Sequence, residues 1–286
     1  MKKIVILLLS LVSLPIAVQA QNIAHKDHTR VATKIEISPM SIKHESQFCG
    51  IFHIWGFIGD SLTSGEHEYK KSDGSTGYID LYDYSWGQCI CRATGTKGYN
   101  FSQSGETAHG WIKNFWNNPK NNNNNIDAKS HPAQAYIMAL GVNDENMKFP
   151  IGDVDKDVNL TDYNKNADTF AGNYAGIIQR VRSIQPRSKF FVVTIPNEEA
   201  TNNAYNDVIR KIAKKFDNVY VIDLYKYGPS YRHDTDLRKN YFAGGHMNAA
   251  GYQFTAWLFI NFIDDIISHN FAAFSDAAFI GTDYRY

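Results

Sequence analysis

Two rhythms of apolar residues alternate along this chain. Short, largely apolar runs of strand length occur at 53–58 (His53-Ile54-Trp55-Gly56-Phe57-Ile58), 98–101, 135–140, 189–195 and 219–224. Between them, apolar residues repeat with helical period. Residues 81–93 read as a helix stopped by Gly95, and 107–116 as one carrying Trp111, Phe115 and Trp116. Ala167, Phe170, Ala171, Tyr174, Ile177, Ile178, Val181 and Ile184 mark a third helix, closed by Pro186. Tyr205, Val208, Ile209, Ile212, Ala213 and Phe216 mark a fourth, with Thr201 as its expected N-cap. Tyr252, Ala256, Phe259, Ile260, Ile263 and Ile267 share one face of the last. Strands alternating with helices in this way predict a parallel sheet with right-handed crossovers. The polar stretches 65–77, 144–162 and 225–245 read as loops, and the five asparagines at 121–125 as a solvated one.

The first residues have a different character. Lys2 and Lys3 precede an apolar stretch from Ile4 to Leu14, and Val18-Gln19-Ala20 supplies small residues before Gln21. That is the pattern of a cleavable export signal over 1–20, and the stretch is too short for the ~20 residues of a membrane span. Residues 21–48 lack periodicity and are expected to form an irregular segment before one α/β domain over 49–286. Export implies a secreted or periplasmic protein, with no later membrane span.

Composition narrows the chemistry further. Formal net charge is zero, which removes the basic footprint of a nucleic-acid binder. Cys49, Cys89 and Cys91 are too few for a disulfide framework; Cys89 and Cys91 read as packing residues. No Cys/His spacing of a metal site and no cofactor motif is present, so neither metal nor cofactor is expected. Asp153, Asp155, Asp157 and Asn159 alternate like calcium-loop ligands, but Val158 and Asn164 replace the required glycine and glutamate. Trp55, Trp86, Trp111 and Trp116 read as core.

Four stretches carry candidate chemistry. Gly59-Asp60-Ser61-Leu62 places a serine at a strand-to-helix turn. In open α/β sheets, ligands bind beyond the carboxyl ends of the strands. Ser102-Gln103-Ser104-Gly105-Glu106 offers a glycine that allows close backbone approach. Gly141-Val142-Asn143-Asp144 offers a side-chain amide donor. Gly244-Gly245-His246-Met247-Asn248 offers a general base. Ester cleavage needs these parts: a nucleophile, a base and oxyanion donors.

Ser61, Gly105, Asn143 and His246, in this order over about 55–260, resemble the four blocks of the SGNH (GDSL) hydrolases. The resemblance implies a flavodoxin-like three-layer α/β/α fold with a five-stranded parallel sheet. It implies Ser61 as nucleophile, His246 as base, and an oxyanion hole from the Ser61 and Gly105 N–H groups and the Asn143 amide. The Gly-x-Ser-x-Gly elbow of the α/β-hydrolases is absent around Ser61. The expected function is a serine esterase acting on short acyl, chiefly acetyl, esters of a small-molecule or polysaccharide substrate. The alternatives are a lipase or thioesterase, a sugar acyltransferase, and an inactive carbohydrate-binding protein.

One position departs from the family. Its members usually carry an aspartate three residues before the histidine, where this chain has Ala243. The expectation is therefore a Ser61–His246 dyad, with a backbone carbonyl near Ala243 or Gly244 accepting the Nδ1 proton. The alternative partners are Asp234 and Asp236.

Overall fold

The computed structural model describes residues 48–197 and 200–285. The expected export signal over 1–20 and all but the end of the 21–48 segment lie outside them.

The elements in chain order are β1 (Ile54–Gly59), α1 (Ser61–Ser64), β2 (Glu66–Lys70), β3 (Thr76–Asp80), α2 (Trp86–Thr94), β4 (Lys97–Ser102), α3 (Ala108–Trp111), β5 (Ala135–Ala139), α4 (Val142–Asn146), α5 (Val154–Asp157), α6 (Phe170–Ile184), β6 (Lys189–Val193), α7 (Ala200–Lys215), β7 (Val219–Ile222), α8 (Leu224–Tyr227), α9 (Thr235–Tyr241), β8 (Phe242–Ala243), β9 (His246–Met247), α10 (Ala249–Ser268) and α11 (Phe271–Phe274). Five strands form a parallel sheet in the order β4-β1-β5-β6-β7. All five coincide with the runs; the central β1, β5 and β6 are buried along nearly their whole length, as strands covered on both faces are, while the edge strands β4 and β7 are only partly buried.

Side-chain alternation splits the sheet into two faces. Ile58, Phe101, Tyr136, Met138, Phe190 and Val192 belong to the core shared with α6 and α7. Trp55, Phe57 and Phe191 point the other way, where Phe57 meets Trp86 of α2, and Trp86 in turn meets Phe259 of α10 at 4.7 Å. The fold is thus the expected three-layer α/β/α arrangement. The four tryptophans singled out above are all buried, as are the three cysteines, which are free thiols.

Several local expectations are corrected. Residues 65–77 are not a loop: β2 and β3 pair antiparallel through Asp73-Gly74. Asn122 is buried within the asparagine run, where its amide donates to the carbonyls of Asn114, Pro119 and Ile126. A loop buries a polar side chain when that side chain satisfies its own backbone. The helix over 107–116 relaxes after α3 into a π-helical stretch, Ile112–Asn117. α7 already begins at Ala200, so Thr201 sits inside its first turn and is not its cap. Asp153 caps α5, Asp157 accepts from Thr169, and Asp155 pairs with Lys215, so these carboxylates serve local structure. Among the described residues, no helix is long and apolar enough to cross a membrane.

Candidate active site

The parallel register sets the carboxyl ends of β4, β1 and β5 side by side, with Gly59 opposite both Ser102 and Ala139. Each of the first three motifs leaves the sheet at one of these ends. Ser61 opens α1, whose cap is Asp60; the Asp60 carboxylate accepts the Leu62 N–H at 3.0 Å. As the first helical residue, Ser61 has an N–H that no carbonyl of the helix reaches. Gly59 has no room for a side chain, because a Cβ there would collide with Thr63.

The Asn143 amide ties the three strand ends together. Its Nδ2 donates to the Glu106 carbonyl at 3.1 Å and lies 3.4 Å from Asp60 Oδ2. Gly105, beside Glu106, is exposed with φ +72°, a conformation that costs glycine nothing. Beneath it, the buried Glu106 carboxylate accepts from Gln103 and Asn114. The Asp144 carboxylate receives the Ala108 N–H at the start of α3. Burial raises both Asp60 and Asp144 to about 7, with backbone N–H donors opposing the shift.

His246 comes from the fourth motif. Its Nε2 lies 3.0 Å from Ser61 Oγ, although 185 residues separate the two. Its Nδ1 faces Glu68 Oε1 at 3.2 Å. The dyad expectation therefore fails on geometry: a carboxylate stands where a backbone carbonyl was expected. The Gly244 carbonyl is engaged by Arg238 instead. Asp234 caps α9 through the Leu237 N–H, and Asp236 is exposed on its first turn.

Glu68 reaches the ring because of the hairpin. Gly65, at φ +81°, ends α1 and turns the chain into β2. Residues two apart on a strand share a face, so Glu66 and Glu68 point the same way. Glu68 takes Nδ1, and Glu66 Oε1 lies 3.0 Å from Nε2. Burial opposes the Glu68 charge, but the Gly245 N–H and His246 more than compensate, and its carboxyl is held below the usual range. Gly244 adopts φ +74°, and a Cβ there would strike the Glu68 carboxylate. Tyr78, opposite Glu68 on β3, sets its ring at 5.7 Å from the imidazole and is 56% exposed at the mouth of the site.

Sequence reading missed both glutamates. The signal was present: Glu66-His67-Glu68-Tyr69-Lys70 alternates, Thr76-Gly77-Tyr78-Ile79-Asp80 answers it, and Asp73-Gly74 is turn chemistry.

A serine hydrogen-bonded to an imidazole whose other nitrogen faces a carboxylate can act as an activated nucleophile. Residues 57–254 match the model of the GDSL-like lipase/acylhydrolase family. The protein belongs to this family and is a carboxylic ester hydrolase.

Solved structures share the fold at low identity. One is a family two carbohydrate esterase from Clostridium thermocellum in complex with cellohexaose (16% identity, TM-score 0.55, covering 76% of this chain and 65% of that one). An acetyl xylan esterase from the rumen bacterium Butyrivibrio proteoclasticus matches at 18% identity and TM-score 0.50 (76% and 64%). The psychrotrophic esterase EstA from Pseudoalteromonas sp. matches at 13% identity and TM-score 0.50 (76% and 99%). The chain thus spans a little under two thirds of each carbohydrate esterase's length. No curated protein matches the sequence.

Proposed function

We propose that the protein is an exported serine esterase that removes short acyl groups, chiefly acetyl, from a carbohydrate. The observation that carries this reading is the line of contacts Ser61 Oγ–His246 Nε2–His246 Nδ1–Glu68 Oε1, at 3.0 and 3.2 Å. Ser61 attacks the ester carbonyl and passes its proton to Nε2. The N–H groups of Ser61 and Gly105 and the Asn143 amide hold the oxyanion. Glu68 fixes the tautomer that leaves Nε2 facing Ser61 and stabilises the imidazolium formed on proton transfer. The leaving alcohol takes the proton from Nε2, and water then hydrolyses the acyl-enzyme.

One feature supports the substrate class. At the mouth, exposed Tyr78 offers a flat ring next to the imidazole, the apolar-bodied surface on which a sugar packs. The N-terminal residue pattern supports export.

The test is a panel of acetyl, butyryl and octanoyl chromogenic esters beside acetylated plant polysaccharides. Acetyl should be preferred, with acetate released from the polymer; faster turnover of octanoyl would overturn the short-acyl reading. A fluorophosphonate should label the wild type and not Ser61→Ala. Asn143→Ala should lower turnover about a hundredfold, the effect of losing ~3 kcal/mol from one oxyanion donor. An unchanged rate would remove Asn143 from that role.

A further inference from the structure

Glu66 belongs to none of the four motifs, yet its Oε1 is as close to His246 Nε2 as Ser61 Oγ is, at 3.0 Å. Its side chain is only 8% exposed. A buried carboxylate against the working nitrogen of the base needs a chemical reason, since burying a charge is costly unless it is used or paired.

The two half-reactions make different demands on that position. In acylation the nucleophile is Ser61, whose hydroxyl has one hydrogen, and that hydrogen goes to Nε2. In deacylation Oγ is esterified, and the nucleophile is water, which has two hydrogens. One goes to Nε2. The other must be held for the lone pair to face the acyl carbon.

We propose that Glu66 is the group that orients the deacylating water, accepting one O–H while Nε2 accepts the other. This rests on the acyl-enzyme reading above. In the step, the water oxygen forms a bond to the acyl carbon and its proton moves to Nε2. The C–Oγ bond then breaks, Nε2 returns the proton to Ser61 Oγ, and the carboxylic acid departs. Glu66 keeps its electron pair and its hydrogen bond throughout.

A consequence follows for the choice of acceptor. An alcohol has a single hydrogen, which Nε2 takes, so it offers the buried Glu66 carboxylate no O–H of its own in the attack geometry. An unpaired buried polar group discriminates strongly against the partner that fails to satisfy it. Glu66 therefore biases the acyl-enzyme towards hydrolysis over transfer. The hairpin keeps one docking contact without this carboxylate: Tyr252 Oη donates to the Glu66 backbone carbonyl at 2.6 Å, a contact that any side chain retains.

The experiment compares wild type, Glu66→Gln and Glu68→Gln with p-nitrophenyl acetate. kcat/KM reports acylation, and the decay of rapidly isolated acetyl-enzyme, followed by intact mass, reports deacylation. In Glu66→Gln, deacylation should fall at least tenfold more than acylation. In Glu68→Gln, which acts through Nδ1 in both steps, the two should fall together. With glycerol added, the ratio of glycerol acetate to acetate should rise several-fold in Glu66→Gln. Equal losses in both steps, or an unchanged product ratio, would overturn the role of Glu66 while leaving the nucleophile in place. A wild type that forms no acetyl-enzyme and takes up no fluorophosphonate would instead overturn the Ser61 reading, and this inference with it.

Discussion

Glu68 faces His246 Nδ1, although Ala243 offers that ring no side-chain acceptor. It lies 178 residues from His246 in sequence and 3.2 Å away in space. A carboxylate donates nothing to catalysis directly, but it fixes the imidazole tautomer and balances the charge that forms on the ring. Glu68→Gln is therefore expected to lower kcat on p-nitrophenyl acetate by roughly 10³–10⁴, the cost of a wrong tautomer in a triad, with little change in KM. Asp234→Asn should stay within about tenfold of wild type, since asparagine caps a helix as well as aspartate does. A Glu68→Gln enzyme within tenfold of wild type would restore the dyad.

At the scale of elements, the β2–β3 hairpin is what completes the site. It is a two-stranded antiparallel unit outside the main sheet, held by its own turn and by docking against β9 and α10. Two strands alone are marginal in water, so its position depends on these contacts. Gly244 sits where the second small hairpin, β8–β9, closes on the first. Gly244→Ala would combine a strained positive φ with a methyl group driven into the Glu68 carboxylate. The expected result is a fall in kcat of at least tenfold with the melting temperature lowered by only a few degrees. Full activity in that variant would show that Glu68 can give way without leaving Nδ1.

At the scale of the whole molecule, the carboxyl ends of the strands concentrate buried acids, and this links folding to pH. Burial raises Asp60 and Asp144 to about 7, so between about 4 and 7 the folded protein binds protons that the unfolded chain has released. Their contribution to stability is complete below about 4 and is lost as pH rises through about 7. Asp60→Asn keeps the helix cap and removes one of these protons. The melting temperature of Asp60→Asn relative to wild type should therefore climb from pH 4 to pH 7 and level off above. A difference that stays flat over this range would show that Asp60 is ionised throughout.

What the amino-acid order determined alone was whatever is written locally. The apolar runs marked five strands, most plainly the three central ones, because a strand covered on both faces has little other composition open to it. Helical periodicity marked the covering helices, and four short motifs marked Ser61, Gly105 and Asn143 beyond strand ends and His246 before the last helix. Tertiary structure decided the partners of His246. Which carboxylate meets Nδ1, and that another meets Nε2, depends on the register of a hairpin and on its docking against a segment almost two hundred residues away. No periodicity records such a contact. It arises only when packing brings two surfaces together and an ionisable side chain on one must find its partner on the other.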